Sequence, residues 1–410
     1  MDSEDEKITS VRDSKKTALR NKLLTTFYQE GTKSIPDLSD SLQLSIPTIT
    51  RFLEELAHAG YILEKGEGSS SGGRRPVLYG LNPNAKYVIS VDIGRFVIRI
   101  ALVNLRNQFI APVRIINEGL SSQSDLLQLI KQESEDLIKQ SEISIDKILG
   151  AGIALPGLID IKTGISYSYF TTLGKPLHEL FKEIFPFPVF VEHDTKAMAL
   201  AELSFGLAKG KQNVLCLVLG AGVGLSMIIA GKLYKGNSGF AGEFGHIPVA
   251  DNGQLCYCGK VGCLETVASG VTLIQNARNG IASGASSKIT DLTNNNPEKI
   301  SLDIIIIAAA MGDQYAIALL ARTGESLGKG IATLLHLFNP EMIILGGELS
   351  KAGNHITDPI KQTLNQHAIA RILRDTELVT TELGEYATLM GTVALVINNF
   401  FTKGADFPKL

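Results

Sequence analysis

Tryptophan is absent from these 410 residues, and cysteine occurs only four times. Three of the four, Cys256, Cys258 and Cys263, lie too close together for the staples of a secreted fold, which makes metal binding the better question. Neither charge is in excess. Lys and Arg number 39 against 42 Asp and Glu, a net charge of -3, so the overall balance names no partner. No basic, apolar segment opens the chain: Met1 to Lys7 is acidic and polar, and the cytoplasm is the expected compartment. The uncharged stretch Val214 to Gly231 reaches the length of a membrane-span candidate, but Gly220, Gly222 and Gly224 interrupt it. It reads as two buried strands around a glycine turn, and no membrane is expected.

What is present is an apolar content of 44% and a charged content of 20%, which describe a globular protein. A chain of this length predicts two or three domains. In the first eighty residues, Leu19, Leu23, Leu24 and Phe27 recur at helical spacing and stop at Glu30-Gly31. A short second helix follows, with Pro36 in its first turn and Leu38, Leu42 and Leu44 along it. Ser45, Ile46 and Pro47 open a third, with Ile49, Phe52, Leu53, Leu56 and Ala57 on one face and Gly60 as its stop. Two short helices and a tight turn before a longer one predict a helix-turn-helix.

Thr48, Thr50 and Arg51 on the third helix suit phosphates and base edges. Tyr61 to Leu63 and Val77 to Leu81 can pair as strands around a Gly-Ser tip that carries Arg74 and Arg75, a wing. From Lys7 to Gly80, eleven basic residues face eight acidic ones. A three-helix unit can equally bind protein; the paired arginines on a Gly-Ser tip favour double-stranded DNA.

From Lys86 strands dominate: Tyr87 to Ile93, Val97 to Val103, Ile148 to Leu155, Val189 to Val191, Leu215 to Leu219 and Met342 to Leu345. Helical stretches such as Leu126 to Lys139 and Ala197 to Phe205 alternate with them, an α/β layering. Three glycine turns follow strands, at Asp92-Ile93-Gly94, Leu219 to Gly224 and Leu345 to Glu348. Each alone is weak evidence, because turn glycines more often serve backbone geometry than phosphate.

The most specific segment is Gly245-His246 followed by Cys256-Tyr257-Cys258-Gly259-Lys260-Val261-Gly262-Cys263-Leu264-Glu265. One histidine and three cysteines can close a tetrahedral nitrogen and sulfur shell, which suits structural Zn2+. The segment resembles the ROK motif, G-H-x9-C-x-C-G-x2-G-C-x-E, and the order of the glycine turns resembles that family as well, from Tyr87 to about Phe401. The resemblance implies a two-lobed, actin-like ATPase fold of the sugar-kinase type, here behind the winged helix-turn-helix that the family's repressor branch carries. It implies domains at 1–82, 83–193 and 194–387, with a C-terminal helix at 388–402 rejoining the first lobe. It also implies His246, Cys256, Cys258 and Cys263 as zinc ligands. Gly157, Asp194, Glu243, His246 and Glu265 are then the sugar-binding candidates, Asp194 standing at the position of the kinase base.

The sequence departs from the kinases of that family at both phosphate turns. Arg95 and Phe96 replace glycine and threonine in the first; Ala221, Leu225 and Ser226 alter the second. Phosphate binding is expected to be weak or absent, so no catalytic residue is expected. The resulting expectation is a repressor whose operator binding answers to a monosaccharide or sugar phosphate, a homodimer or homotetramer on a palindrome. The alternative is an ATP-dependent sugar kinase with an appended DNA-binding domain. His193, Lys196 and Tyr167 to Leu173 also depart from the family near the pocket, and Lys196 is expected to face solvent.

Overall fold

The computed structural model describes residues 2–68, 75–118, 123–171 and 174–401. The chain divides into two compact units, residues 1–155, 177–192 and 392–410 in the first, 156–176 and 193–391 in the second.

The first unit opens with three helices, α1 (Asp2–Glu30), α2 (Ile35–Leu42) and α3 (Ile46–His58). Apolar side chains at a spacing of three and four bury Leu23, Leu24 and Phe27 of α1, and Ile49, Phe52, Leu53 and Leu56 of α3. Ser34 caps α2 reciprocally with Asp37, and Gln43 ends it in the left-handed region at φ 55°. Strands β1 (Lys33–Ser34), β2 (Ile62–Glu67) and β3 (Val77–Leu81) form an antiparallel sheet in the order β1-β3-β2, completing a winged helix. Salt bridges from Lys16 and Arg20 to Glu55 tie α1 to α3.

Next come β4 (Tyr87–Ile93), β5 (Ile98–Asn104), β6 (Arg114–Ile116), α4 (Gln123–Gln140), β7 (Ile148–Leu155), α5 (Leu177–Lys182) and β8 (Val189–His193). They build a five-stranded sheet in the order β6-β5-β4-β7-β8. Every residue of β4 and β7 is buried, as expected of central strands covered on both faces.

The second unit holds α6 (Asp194–Phe205), β9 (Val214–Leu219), β10 (Val223–Ile229), β11 (Lys232–Tyr234), α7 (Glu265–Ala268), α8 (Gly270–Ala282), α9 (Lys288–Leu292), α10 (Leu302–Ala310) and α11 (Gln314–Phe338). Then follow β12 (Met342–Gly346), α12 (Asn354–His367), α13 (Ala370–Asp375), β13 (Glu377–Thr380) and α14 (Ala387–Phe401), whose residues from Thr392 onward belong to the first unit. The second sheet runs β11-β10-β9-β12-β13.

Numbered within each sheet, both five-stranded sheets have the strand order 3-2-1-4-5. In each, strand 2 is antiparallel to strand 1 and strand 4 is parallel to it. This duplicated α/β pattern is the actin-like architecture expected above. The uncharged stretch from Val214 is the β9–β10 hairpin. Among the described residues no single helix is long and apolar enough to cross a membrane.

Two placements differ from expectation. Residues 156–176 group with the second unit, not with the 83–193 stretch, because their hairpin docks there: the Ile161 amide donates to the Ser238 carbonyl at 3.0 Å. Lys196 does not face solvent; it is 3% exposed, because α6 is buried on consecutive positions from Thr195 to Ala199 and leaves no solvent face there.

Candidate effector and metal site

The β9–β10 turn organises the acidic groups of the second unit. Gly222 has no side chain, and a Cβ there would stand 2.8 Å from Oε2 of Glu265. Glu265, the first residue of α7 and 8% exposed, therefore lies directly against the turn and accepts the Val223 amide at 3.3 Å. Gly245 approaches the same carboxylate, which brings the Glu243 to His246 segment alongside it. On the other side, Gly224 abuts the Thr195 hydroxyl, placing the start of α6 against β10.

Asp194 begins α6. Its Oδ1 accepts the Thr195 amide at 2.6 Å and the Thr195 hydroxyl at 3.1 Å, and His193 Nδ1 stands 3.0 Å away. Burial alone would push this carboxyl up, but the His193 ring and the Thr195 donors outweigh it and hold it below the usual carboxylate range. Asp194 is thus an anion with its charge already engaged. Gly157 sits at φ 94° on the 156–168 hairpin, with Ser168 packed against it; that hairpin docks onto Ser238, five residues before Glu243.

A second cluster adjoins the first through His246. The His246, Cys256, Cys258 and Cys263 ligand atoms all lie within 4.8 Å of one another. Nδ1 of His246 is 3.6 Å from Cys256 Sγ, and Cys258 Sγ is 3.7 Å from Cys263 Sγ. A tetrahedral site with metal–sulfur bonds of ~2.3 Å has edges of about 3.8 Å, so these separations fit a metal ion bound by all four residues. The loop is shaped for it. The Cys256 amide donates to Lys260 at 2.7 Å, and Gly262 at φ 76° passes so close to Ala250 that a Cβ would lie 1.8 Å from the Ala250 carbonyl oxygen. Burial pushes the Cys263 thiol up to about 12, so occupancy must displace a proton there. Tyr257, not singled out from sequence, donates or accepts at His246 Nε2 across 3.1 Å.

In the first unit, Arg51 and Arg75 are exposed, and Thr48 and Thr50 are half-buried on α3. Thr48 shares a hydrogen bond with Ser45 at 2.8 Å and Thr50 donates to the Ile46 carbonyl at 2.9 Å. Arg74 lies outside the described residues.

The model of the ROK family matches residues 88–399. The chain belongs to the ROK family. This ROK chain is 30% identical over 389 residues to the xylose repressor of Caldicellulosiruptor bescii, covering 94% of itself and 95% of that protein. Among solved structures it is similar to a ROK transcriptional regulator described as a homologue of E. coli MLC, at TM-score 0.76, 29% identity, 94% of this chain and 96% of that one. It is also similar to a ROK glucokinase from Streptomyces griseus in complex with glucose and AMPPNP, at TM-score 0.68 and 28% identity. That kinase is covered to 98% by only 75% of the ROK chain described here.

Two glycine turns singled out from the sequence have defined backbone contacts. At the first, Gly94 donates to the Val97 carbonyl at 2.9 Å, closing the β4–β5 hairpin, and Arg99 faces Asp92 across it at 3.5 Å. At the second, the Gly220 carbonyl accepts the Gly270 amide at 2.8 Å. The third glycine pair serves packing: a Cβ at Gly346 would meet Met198 at 2.2 Å, and one at Gly347 the Leu219 carbonyl at 2.5 Å.

Proposed function

We propose that this ROK chain is a cytoplasmic, sugar-responsive transcriptional repressor that binds double-stranded DNA through its winged helix. The observation that carries the reading is coverage. The xylose repressor is matched along 94% of the chain, whereas the glucokinase is matched almost whole by 75% of it, a remainder large enough to hold the winged helix.

Glu265, Glu243 and Asp194, gathered around the β9–β10 turn, supply acceptors and His246 a donor at fixed positions for the hydroxyls of a monosaccharide or sugar phosphate, with Gly157 at the edge. Arg51, Thr48, Thr50 and Arg75, with Arg74, supply the DNA contacts of a dimer or tetramer on a palindrome. Sugar binding shifts the equilibrium between operator-competent and operator-released states, by as much as the sugar's affinity differs between them. Zn2+ in the His246 and cysteine cluster is structural: four protein ligands fill its shell and fix the 246–263 loop that carries one wall of the sugar site.

Arg95 and Phe96 stand where the family's kinases have glycine and threonine in the first phosphate turn, and Arg99 pairs with Asp92, which supports a regulator without phosphoryl transfer. A second reading, a sugar kinase, is favoured by one observation: Asp194 is retained at the position of the kinase base. Selection of genomic DNA by the purified protein, with and without a monosaccharide and sugar-phosphate panel, tests the first reading. Enrichment of a palindrome that one sugar abolishes supports it. ATP-dependent phosphorylation of a hexose by the same preparation would establish the second.

A further inference from the structure

His246 has one ring nitrogen facing the sulfur cluster and one turned away from it. Nδ1 is the atom beside Cys256. An imidazole that gives Nδ1 to a metal carries its proton on Nε2, so Nε2 is a donor and the only hydrogen-bonding position the ring has left. That position is taken. The Tyr257 hydroxyl stands 3.1 Å from Nε2, and the two rings meet edge to face at 5.2 Å and 78°.

Tyr257 is placed to let go. It lies between two cluster cysteines on a turn held by the Cys256 and Gly259 amides, at 2.7 and 2.9 Å, and by pairing of Leu255 with Val261. Its backbone is therefore fixed while its side chain is 66% exposed. Rotation about its own side-chain bonds would free Nε2 without disturbing the cysteines, and such flips are fast and cheap at the surface.

We infer that Tyr257 gates the sugar site: its hydroxyl occupies the His246 Nε2 position that an effector hydroxyl uses, and the effector must displace it to bind. The inference rests on the sugar-sensing reading above and deepens it. Competition of this kind lowers apparent affinity by the fraction of molecules with the gate open, setting the sugar concentration at which the repressor responds. Tyr257 is then a positioning residue for His246 and a threshold for the effector.

The test is calorimetric titration of the zinc-loaded full chain, wild type and Tyr257→Phe, with D-xylose, D-glucose, N-acetyl-D-glucosamine and their phosphates. Metal content of each protein is measured in parallel. Phenylalanine keeps the ring and removes the hydroxyl. The gate predicts sugar binding about two- to tenfold tighter in Tyr257→Phe, the exchange value of one hydrogen bond, at unchanged metal stoichiometry. Histidine-selective 15N spectra should show the Nε2 signal of wild type moving on sugar addition and that of the variant starting from a different, Tyr-free position. A sugar that binds wild type but binds Tyr257→Phe equally or more weakly overturns the gate and leaves the sugar reading standing. Binding of no sugar to either protein overturns both. If the variant loses metal, Tyr257→Trp, which also lacks the hydroxyl, replaces it under the same criteria.

Discussion

Asn21 donates its side-chain amide to the Phe400 carbonyl at 3.3 Å, joining positions 379 residues apart. One turn on, the Thr25 hydroxyl donates to the Phe401 carbonyl at 3.3 Å, and the Tyr28 and Phe401 rings meet edge to face at 5.8 Å. The first helix of the winged helix is thus seated on the last turns of α14. The same helix is locked to the first sheet: Ser90 and Thr392 hydroxyls are 2.7 Å apart, and Gly152 leaves no room for a side chain beneath the Thr392 backbone.

Phe400 is buried and takes part in a T-shaped contact with Phe190. Phe400→Ala should therefore cost about 3–5 kcal/mol of first-unit stability, as aromatic truncation in a packed core does. Asn21→Ala should cost about 1 kcal/mol. Urea denaturation of the two variants measures both. A Phe400→Ala loss below that of Asn21→Ala would contradict the packing of α14 described here.

Asp313 caps α11 and also holds α9. It accepts the Ala316 and Lys288 amides, each at 2.7 Å, and the Ser287 hydroxyl at 3.0 Å. Burial raises this carboxyl, but the three donors outweigh it and leave it below the ordinary aspartate value. A depressed folded-state value means that the stabilisation is complete above the ordinary value and is lost as pH falls through the lower one. Asp313→Ala should cost about 0.5–2 kcal/mol at neutral pH, and the gap to wild type should close on acidification. Thermal melts from neutral pH to below 4 provide the check, and a gap that widens towards acid would refute the assignment.

Legibility in the sequence followed the range of the interactions. The third helix was readable because Ile49, Phe52, Leu53 and Leu56 state a helical period within one segment, and the structure has it from Ile46 to His58. The metal cluster was readable because its four ligands fall within one loop. Helix α1 was readable only in its last turns: residues 2–18 lack an apolar stripe, and its length to Asp2 has no periodic signal. Lys196 was misplaced because charge argues for solvent while its burial is decided by the packing of α6, which no local pattern reports. The Asp92–Arg99 pair could have been found, since a hairpin closing at Gly94 sets the two opposite each other. Tyr257 had a signal too, an aromatic between two cysteines, but its partner is an imidazole eleven residues away.

Metal removal separates a loop effect from a global one. The second unit has its own apolar core, from Leu215 through Ile331 to Leu364, so chelation should loosen the 246–263 loop without unfolding the chain. Limited proteolysis should then cut within that loop, and circular dichroism should change little. Gly262→Ala should reproduce this state without a chelator, losing metal even when Zn2+ is supplied, because its backbone at φ 76° disfavours a side chain and the Ala250 carbonyl blocks one. Elemental analysis showing full metal in Gly262→Ala would count against the loop geometry.

The winged helix makes the last prediction, and two arginines separate its terms. Arg51 is exposed on α3, with its guanidinium 5.1 Å from the Phe52 ring centroid, a contact that limits its orientations before DNA arrives. Arg75 is exposed just before β3, in the wing. If Arg51 reads a base edge, Arg51→Ala should cost about 1–3 kcal/mol on the selected palindrome and little on unrelated DNA, because only the matched base is lost. If Arg75 meets a phosphate, Arg75→Ala should weaken binding to both DNAs alike and reduce the slope of log affinity against log salt by about 1. Fluorescence anisotropy across a salt series distinguishes the two outcomes. Equal affinities and slopes for wild type and both variants would remove α3 and the wing from the DNA-binding face.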